Sequence, residues 1–124
     1  MKLLSASVLA LALVAGCATT APDTPTRTMD GVLIGPSGMT LYTFDRDAAG
    51  SGKSACNGPC ASNWPPLIAP EGAQPIGGYT VVARDDGRKQ WAYKGWPLYY
   101  WAKDSKTGDR TGAGIGGVWK LARP

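Results

Sequence analysis

Gly38-Met-Thr-Leu-Tyr-Thr-Phe-Asp-Arg-Asp47 lies without a gap on Gly95-Trp-Pro-Leu-Tyr-Tyr-Trp-Ala-Lys-Asp104. The shared frame is G-x-x-L-Y-x-(F/W)-x-x-D. Each copy follows a turn and a preceding apolar run. Each is succeeded by a Gly-rich loop and then a tryptophan, Trp64 or Trp119. Two copies make a duplicated domain rather than a solenoid. In a strand, residues two apart face the same way, so Tyr42 and Phe44 share one face, as do Tyr99 and Trp101. Asp47 and Asp104 fall just past the strand ends, where a carboxylate accepts hydrogen bonds from the next turn. Two readings stay open. In one the motif is core aromatics plus an aspartate-capped turn, repeated because the fold is repeated. In the other it lines a ligand groove, with Tyr42, Phe44, Asp47, Tyr99, Trp101 and Asp104 as binding residues. Five Trp and five Tyr against one Phe suit either reading, since both rings combine an apolar body with a polar edge. Tyr100 points away from Tyr99 and is the candidate for an exposed ring.

Outward from this frame, Gly and Pro punctuate short β-branched and aromatic runs, and no stretch sustains a helical period. Residues Gly31–Ile34 and Met39–Phe44 flank Gly35-Pro36-Ser37-Gly38 as one hairpin. Tyr79–Arg84 and Lys89–Tyr93 flank Asp85-Asp86-Gly87 as a second. Pro97–Trp101 and Val118–Leu121 read as further strands. The fold class is therefore all-β: a small antiparallel sheet or sandwich of about six strands, built from two related hairpin units.

The chain opens with Lys2, an apolar run from Leu3 to Val14, and Val14-Ala15-Gly16-Cys17. This is the layout of a secretory signal. The run is shorter than the roughly 20 residues that span a bilayer. Val-Ala-Gly-Cys resembles the lipobox of bacterial lipoproteins, whose cysteine is acylated after cleavage. Residues 1–16 are thus a cleaved signal helix, and 17–29 are the lipidated Cys17 with a Pro/Thr-rich tether. Residues 30–124 are the duplicated β domain. The expected partner is a membrane, through the lipid. Ala18 after the cysteine suits the periplasmic face of the outer membrane in a host with two membranes. Fully extended, residues 18–28 reach on the order of 35 Å at ~3.3 Å each.

The net charge of +4 comes from cations scattered among acids. That is a solvated, mildly basic surface rather than a nucleic-acid footprint. The chain has no histidine. This excludes Ser-His and Cys-His nucleophile arrangements and removes the commonest metal and haem ligand. No cofactor and no metal is expected. With Cys17 acylated, Cys56 and Cys60 are left to pair in an oxidising compartment. Such a bridge closes a tiny loop, worth about 2 kcal/mol in chain entropy. The competing use of Cys56-Asn-Gly-Pro-Cys60 is a redox or metal-handling dithiol. Thioredoxin-type motifs have two intervening residues and open a helix, and Cys-Asn-Gly-Pro is expected not to open one. Gly50-Ser-Gly-Lys-Ser54 resembles the end of a phosphate loop, but Asp47 stands where that pattern needs glycine. Gly112–Gly117 fits GxGxxG with too little chain after it for a dinucleotide fold, and reads as a flexible loop. Asp45–Gly50 starts like a calcium loop, but Cys56 occupies its terminal glutamate position. Asp47 and Asp104 form the one carboxylate pair that a hydrolase would use.

The motif copies, with Cys56-x-x-x-Cys60-Ala-x-x-Trp64-Pro65-Pro66-Leu67, Gln90-Trp91-x-Tyr93-x-Gly95-x-Pro97-Leu98-Tyr99 and Gly116-Gly117-Val118-Trp119, resemble a family of bacterial lipoproteins with a Yx(F/W/Y)xxD signature, described as a secreted repeat of unknown function. The resemblance covers nearly all of the chain from Asp30 onward. It implies an exported, membrane-anchored domain, and implies no activity, cofactor or catalytic residue. The expectation is a cell-envelope lipoprotein that is not an enzyme. Its β domain is structural or binds an envelope protein or glycan.

Overall fold

A computed structural model describes residues 23–124. The signal segment and Cys17 lie outside the described residues. Seven short strands are present among those described: β1 (Arg27–Met29), β2 (Val32–Ile34), β3 (Tyr42–Phe44), β4 (Tyr79–Ala83), β5 (Lys89–Tyr93), β6 (Trp96–Pro97) and β7 (Trp119–Leu121). All the pairings are antiparallel, in sheets β1-β2, β3-β7 and β4-β5-β6. The all-β class and the two hairpin units are as the sequence indicates.

The second hairpin forms in the expected place, with Val82 opposite Gln90 and the Asp85-Asp86-Gly87 turn closed by Gly87 N–H donating to the Arg84 carbonyl. Between Ile34 and Thr40 the Gly35–Gly38 turn also closes, through Gly38 N–H to the Gly35 carbonyl. Here the structure corrects the tether. The ordered domain begins before Asp30. Arg27–Met29 pair with β2 across a two-residue Asp30-Gly31 turn, both with positive φ (49° and 76°). Asp-Gly is the pair that such a hairpin turn prefers. Thr26 is buried, and its hydroxyl shares a hydrogen bond with that of Tyr79. A second correction concerns Cys-Asn-Gly-Pro. Pro59 does open a helix, the single turn α1 (Pro59–Asn63), with Gly58 before it at φ 57°. Proline at the first helical position forfeits no hydrogen bond, because that N–H has no partner inside the helix.

The centre of the fold is where the motif copies meet. Tyr42 N–H donates to the Tyr99 carbonyl (2.7 Å) and Tyr99 N–H donates to the Tyr42 carbonyl (3.0 Å). This reciprocal pair marks a pseudo-twofold. Strands then cross over between the halves. β3 of the first half takes its partner, β7, from the second, and Leu98–Tyr100 of the second half are bonded by Leu67 and Pro65 of the first. Alternation along each motif feeds two cores on opposite faces. Leu41 and Leu98 point into an aliphatic core with Leu33, Leu67, Tyr79 and Trp91. Tyr42, Phe44 and Tyr99 point into an aromatic core with Cys56, Trp64 and Trp119, against which Trp101 packs.

Candidate functional site

The six motif residues named from sequence come together, and the way they do so is crossed. Tyr42 of the first copy donates its hydroxyl to Asp104 Oδ2 of the second at 2.6 Å. Tyr99 of the second copy donates to Asp47 Oδ2 of the first at 2.7 Å. Each carboxylate also ties down the loop behind it. Asp47 Oδ1 accepts from Ala55 N–H at 2.7 Å. Asp104 Oδ1 accepts from Thr111 N–H at 3.0 Å and from the Thr111 hydroxyl at 2.6 Å. The aspartate backbones close their own turns onto Phe44 and Trp101. The aspartate-capped turn foreseen from sequence is present, with a tyrosine from the opposite half added to it.

The rings follow the same rule. Phe44, Trp119, Trp64 and Trp101 form one stack, with successive centroids 4.2, 3.8 and 4.1 Å apart. Its members alternate between the halves. Tyr42 meets Trp64 edge-on at 5.4 Å, and Tyr99 meets Trp119 edge-on at 5.2 Å. Edge-to-face and offset-stacked pairs each add about 0.5–1.5 kcal/mol beyond area burial. Gly112 lets the second loop lie flat on this core: a Cβ there would sit 2.9 Å from ring atoms of both Trp64 and Tyr42. Its N–H donates to the Tyr42 hydroxyl at 3.2 Å. The segment read as a flexible loop is thus packed at its start.

Tyr42 and Tyr99 are 0 % exposed, so neither presents a surface to a ligand. Phe44 and Asp47 are also buried, Asp104 is half-buried, and Trp101 is the partly exposed end of the stack. Tyr100 is not the exposed ring. It is half-buried against the aliphatic core, over a glycine, Gly35, where a Cβ would collide with its ring. Burial raises the tyrosine pKa values well above the ordinary phenol value, and the facing carboxylates push the same way, so both hydroxyls remain neutral donors. Burial likewise raises Asp47, opposed by Ala55 N–H, Tyr99 and the nearby Arg84.

A polar network behind Asp47 was missed from sequence. Arg84, 4 % exposed, donates to Ser54 Oγ (3.0 Å), Gln90 Oε1 (2.8 Å) and the Cys56 carbonyl (2.8 Å), with Asp86 at 3.1 Å. Ser54 Oγ lies 2.7 Å from the Tyr99 hydroxyl. Gln90 donates to the Leu98 carbonyl at 2.8 Å. The signal was parity: Arg84 stands two residues after the inward Val82, and so on the same face. Cys56 and Cys60 are joined by the expected disulfide, with Cα atoms 5.2 Å apart. Cys56 is fully buried in the aromatic core, and Cys60 lies in α1. Among the described residues no three Cys, Asp or Glu side chains gather as a metal site, and no helix is long and apolar enough to cross a membrane.

A family model matches this chain twice, at residues 24–68 and 80–123. These are the two halves that the crossed contacts define. The chain belongs to the family described as a secreted repeat of unknown function, Lipoprotein_15. The first match begins at residue 24, ahead of β1, in accord with the earlier start of the folded part. No match is found among curated proteins or among solved structures.

Proposed function

We propose that the chain is a cell-envelope lipoprotein, held to a membrane by lipid on Cys17, and that its duplicated β domain serves without catalysis as a binding or structural unit. The observation that carries this reading is the commitment of the motif side chains to one another. Asp47 and Asp104 are each filled by a tyrosine of the opposite half and by loop donors, in separate turns. A hydrolytic pair needs carboxylates free to meet a substrate from two sides. Binding falls instead to the outward end of the aromatic stack. There Trp101 is partly exposed and Lys103 Nζ lies 5.9 Å from its ring centre. A tryptophan edge beside a cation suits an envelope glycan or an acidic partner.

The test has two arms. Expression of the full chain with labelled fatty acid gives a lipidated, membrane-bound product, and Cys17→Ser abolishes both label and membrane association. Titration with envelope glycans, followed by tryptophan emission, gives saturable binding that Trp101→Ala removes without unfolding the domain. An unlipidated product sinks the anchor, and no binding in any titration leaves the structural role alone. The dithiol alternative is decided separately. A Cys56–Cys60 potential below about −300 mV marks a structural bridge, whereas ready reduction or stoichiometric metal uptake favours redox or metal handling.

A further inference from the structure

We infer that the apolar groove beside residues 23–25 is the face that rests on the lipid bilayer, with Ile68 entering its interfacial region. The inference rests on the lipid anchor at Cys17. The groove holds about 550 Å³ and is lined mainly by apolar side chains, among them Pro25, Pro36, Leu67, Ile68, Ile76 and Trp91. Among the described residues Ile68 is the one exposed large apolar side chain, at 44 %. It stands on this groove, whose lining includes no member of the aromatic stack.

What identifies the occupant is where the chain enters. Asp23 and Thr24 form part of the groove wall. Five residues, 18–22, lie between Cys17 and Asp23, and the six steps from one to the other span at most about 20 Å when fully extended. A domain of about 100 residues is on the order of 30 Å across. The leash is therefore shorter than the domain. The Asp23 side must face the surface that holds the lipid, and the opposite side cannot reach it. The consequence follows from the corrected start of the fold, since a tether running to residue 29 would have let the domain turn freely. An apolar groove with an exposed isoleucine at its mouth, held within that distance of a bilayer, gains by burying itself in the interface. Asp23 is the one charged residue in the groove lining, and no cation lines it to call for anionic lipid. The surface it fits is accordingly a neutral, zwitterionic one.

The experiment uses the full lipidated chain in phosphatidylcholine vesicles. Gln74→Cys, on the groove wall, carries an environment-sensitive fluorophore. Lys53→Cys, at an exposed position that does not line the groove, carries the same label as control. The emission of the label at position 74 shifts to the blue, and doxyl-labelled lipid quenches it several-fold more than the label at position 53. Adding Ile68→Asp removes the shift while the circular dichroism stays native. Equal quenching at the two positions overturns the inference. So does a blue shift at position 74 without doxyl quenching, because the groove is then filled by protein, either residues 18–22 or a second copy. Mass spectrometry of the Cys17 peptide separates the two failures. Lipid present with no quenching defeats the docking face alone, and lipid absent defeats the anchor and the docking face together.

Discussion

Replacing Tyr99 and Tyr42 singly by phenylalanine should destabilise the domain unequally, and the structure sets the order. Both changes delete one hydroxyl and leave the ring in place. Tyr99→Phe strips a donor from Asp47, which is 5 % exposed and retains only the Ala55 N–H among its direct bonds. It also removes one of the partners of Ser54 Oγ, which keeps the bond from Arg84. Leaving a buried acceptor unsatisfied costs about 1–3 kcal/mol, and more when it is charged, so about 3 kcal/mol is expected. Tyr42→Phe strips a donor from Asp104, which keeps two bonds from Thr111 and is open enough for water to replace the third. It also takes the acceptor from Gly112 N–H. Two hydrogen bonds are lost and no buried charge is left unpaired, about 2 kcal/mol. In a domain of about 100 residues each kcal/mol moves Tm by roughly 4–8 °C. The expected losses are therefore about 15 °C and about 10 °C. Thermal and urea melts at neutral pH measure both. Equal losses, or the reverse order, would refute the claim that the first aspartate depends on its partner from the opposite half more than the second does.

Arg84→Lys replaces a planar fork that reaches four acceptors with a single ammonium. A loss of about 2–4 kcal/mol in urea melts is expected, and a loss under about 0.5 kcal/mol would remove the network from any stabilising role. Asp47→Asn should fall further behind the wild type as the pH drops from neutral toward about 4, the unfolded aspartate value. Burial raises the native pKa, so in that window the folded protein holds a proton that the unfolded chain has released, and wild-type stability rises toward acid. Asp86, held low by Arg88, and Asp109, held low by the Ser105 and Lys106 amides, act in the opposite direction and cancel in the comparison because both proteins contain them. Cleaving the exposed Pro70–Gln74 connection should leave two fragments that co-elute and melt together, because their strands are exchanged. Separate elution of intact halves would contradict the crossed pairing.

Local signals were legible in the sequence, and cross-half geometry was not. The gap-free repeat, the Asp85-Asp86-Gly87 hairpin and the shared faces of Tyr42/Phe44 and Tyr99/Trp101 are all written within a few residues of one another, at period two. The Cys56–Cys60 pairing was reached by elimination. Strand β1 falls in the segment whose Pro/Thr-rich composition reads as a tether, although Asp30-Gly31 beside it was the better clue. Helix α1 was excluded by applying the interior penalty of proline to a position that does not incur it. Arg84 was counted with the solvated cations, whereas strand parity put it inside together with Gln90. That Tyr42 would choose Asp104 rather than Asp47 has no local signature. It depends on how far the two copies are turned about the pseudo-twofold, which many distant contacts settle at once.

The crossing also explains why duplication here means mutual dependence and not redundancy. Neither half fills its own aspartate or completes its own ring stack, and β3 of the first half finds its strand partner, β7, in the second. The halves have diverged only where the crossing leaves them free. The loop after Asp47 carries the disulfide, α1 and Ser54 leaning on Arg84, while the loop after Asp104 carries Thr111 and the close-packed Gly112. Both solutions bring a donor to the same carboxylate position and a tryptophan to the same place in the stack. The shared frame is therefore held by the interface between the halves. Function must be sought where that interface surfaces, at Trp101, and at the groove on the opposite face, which it leaves open.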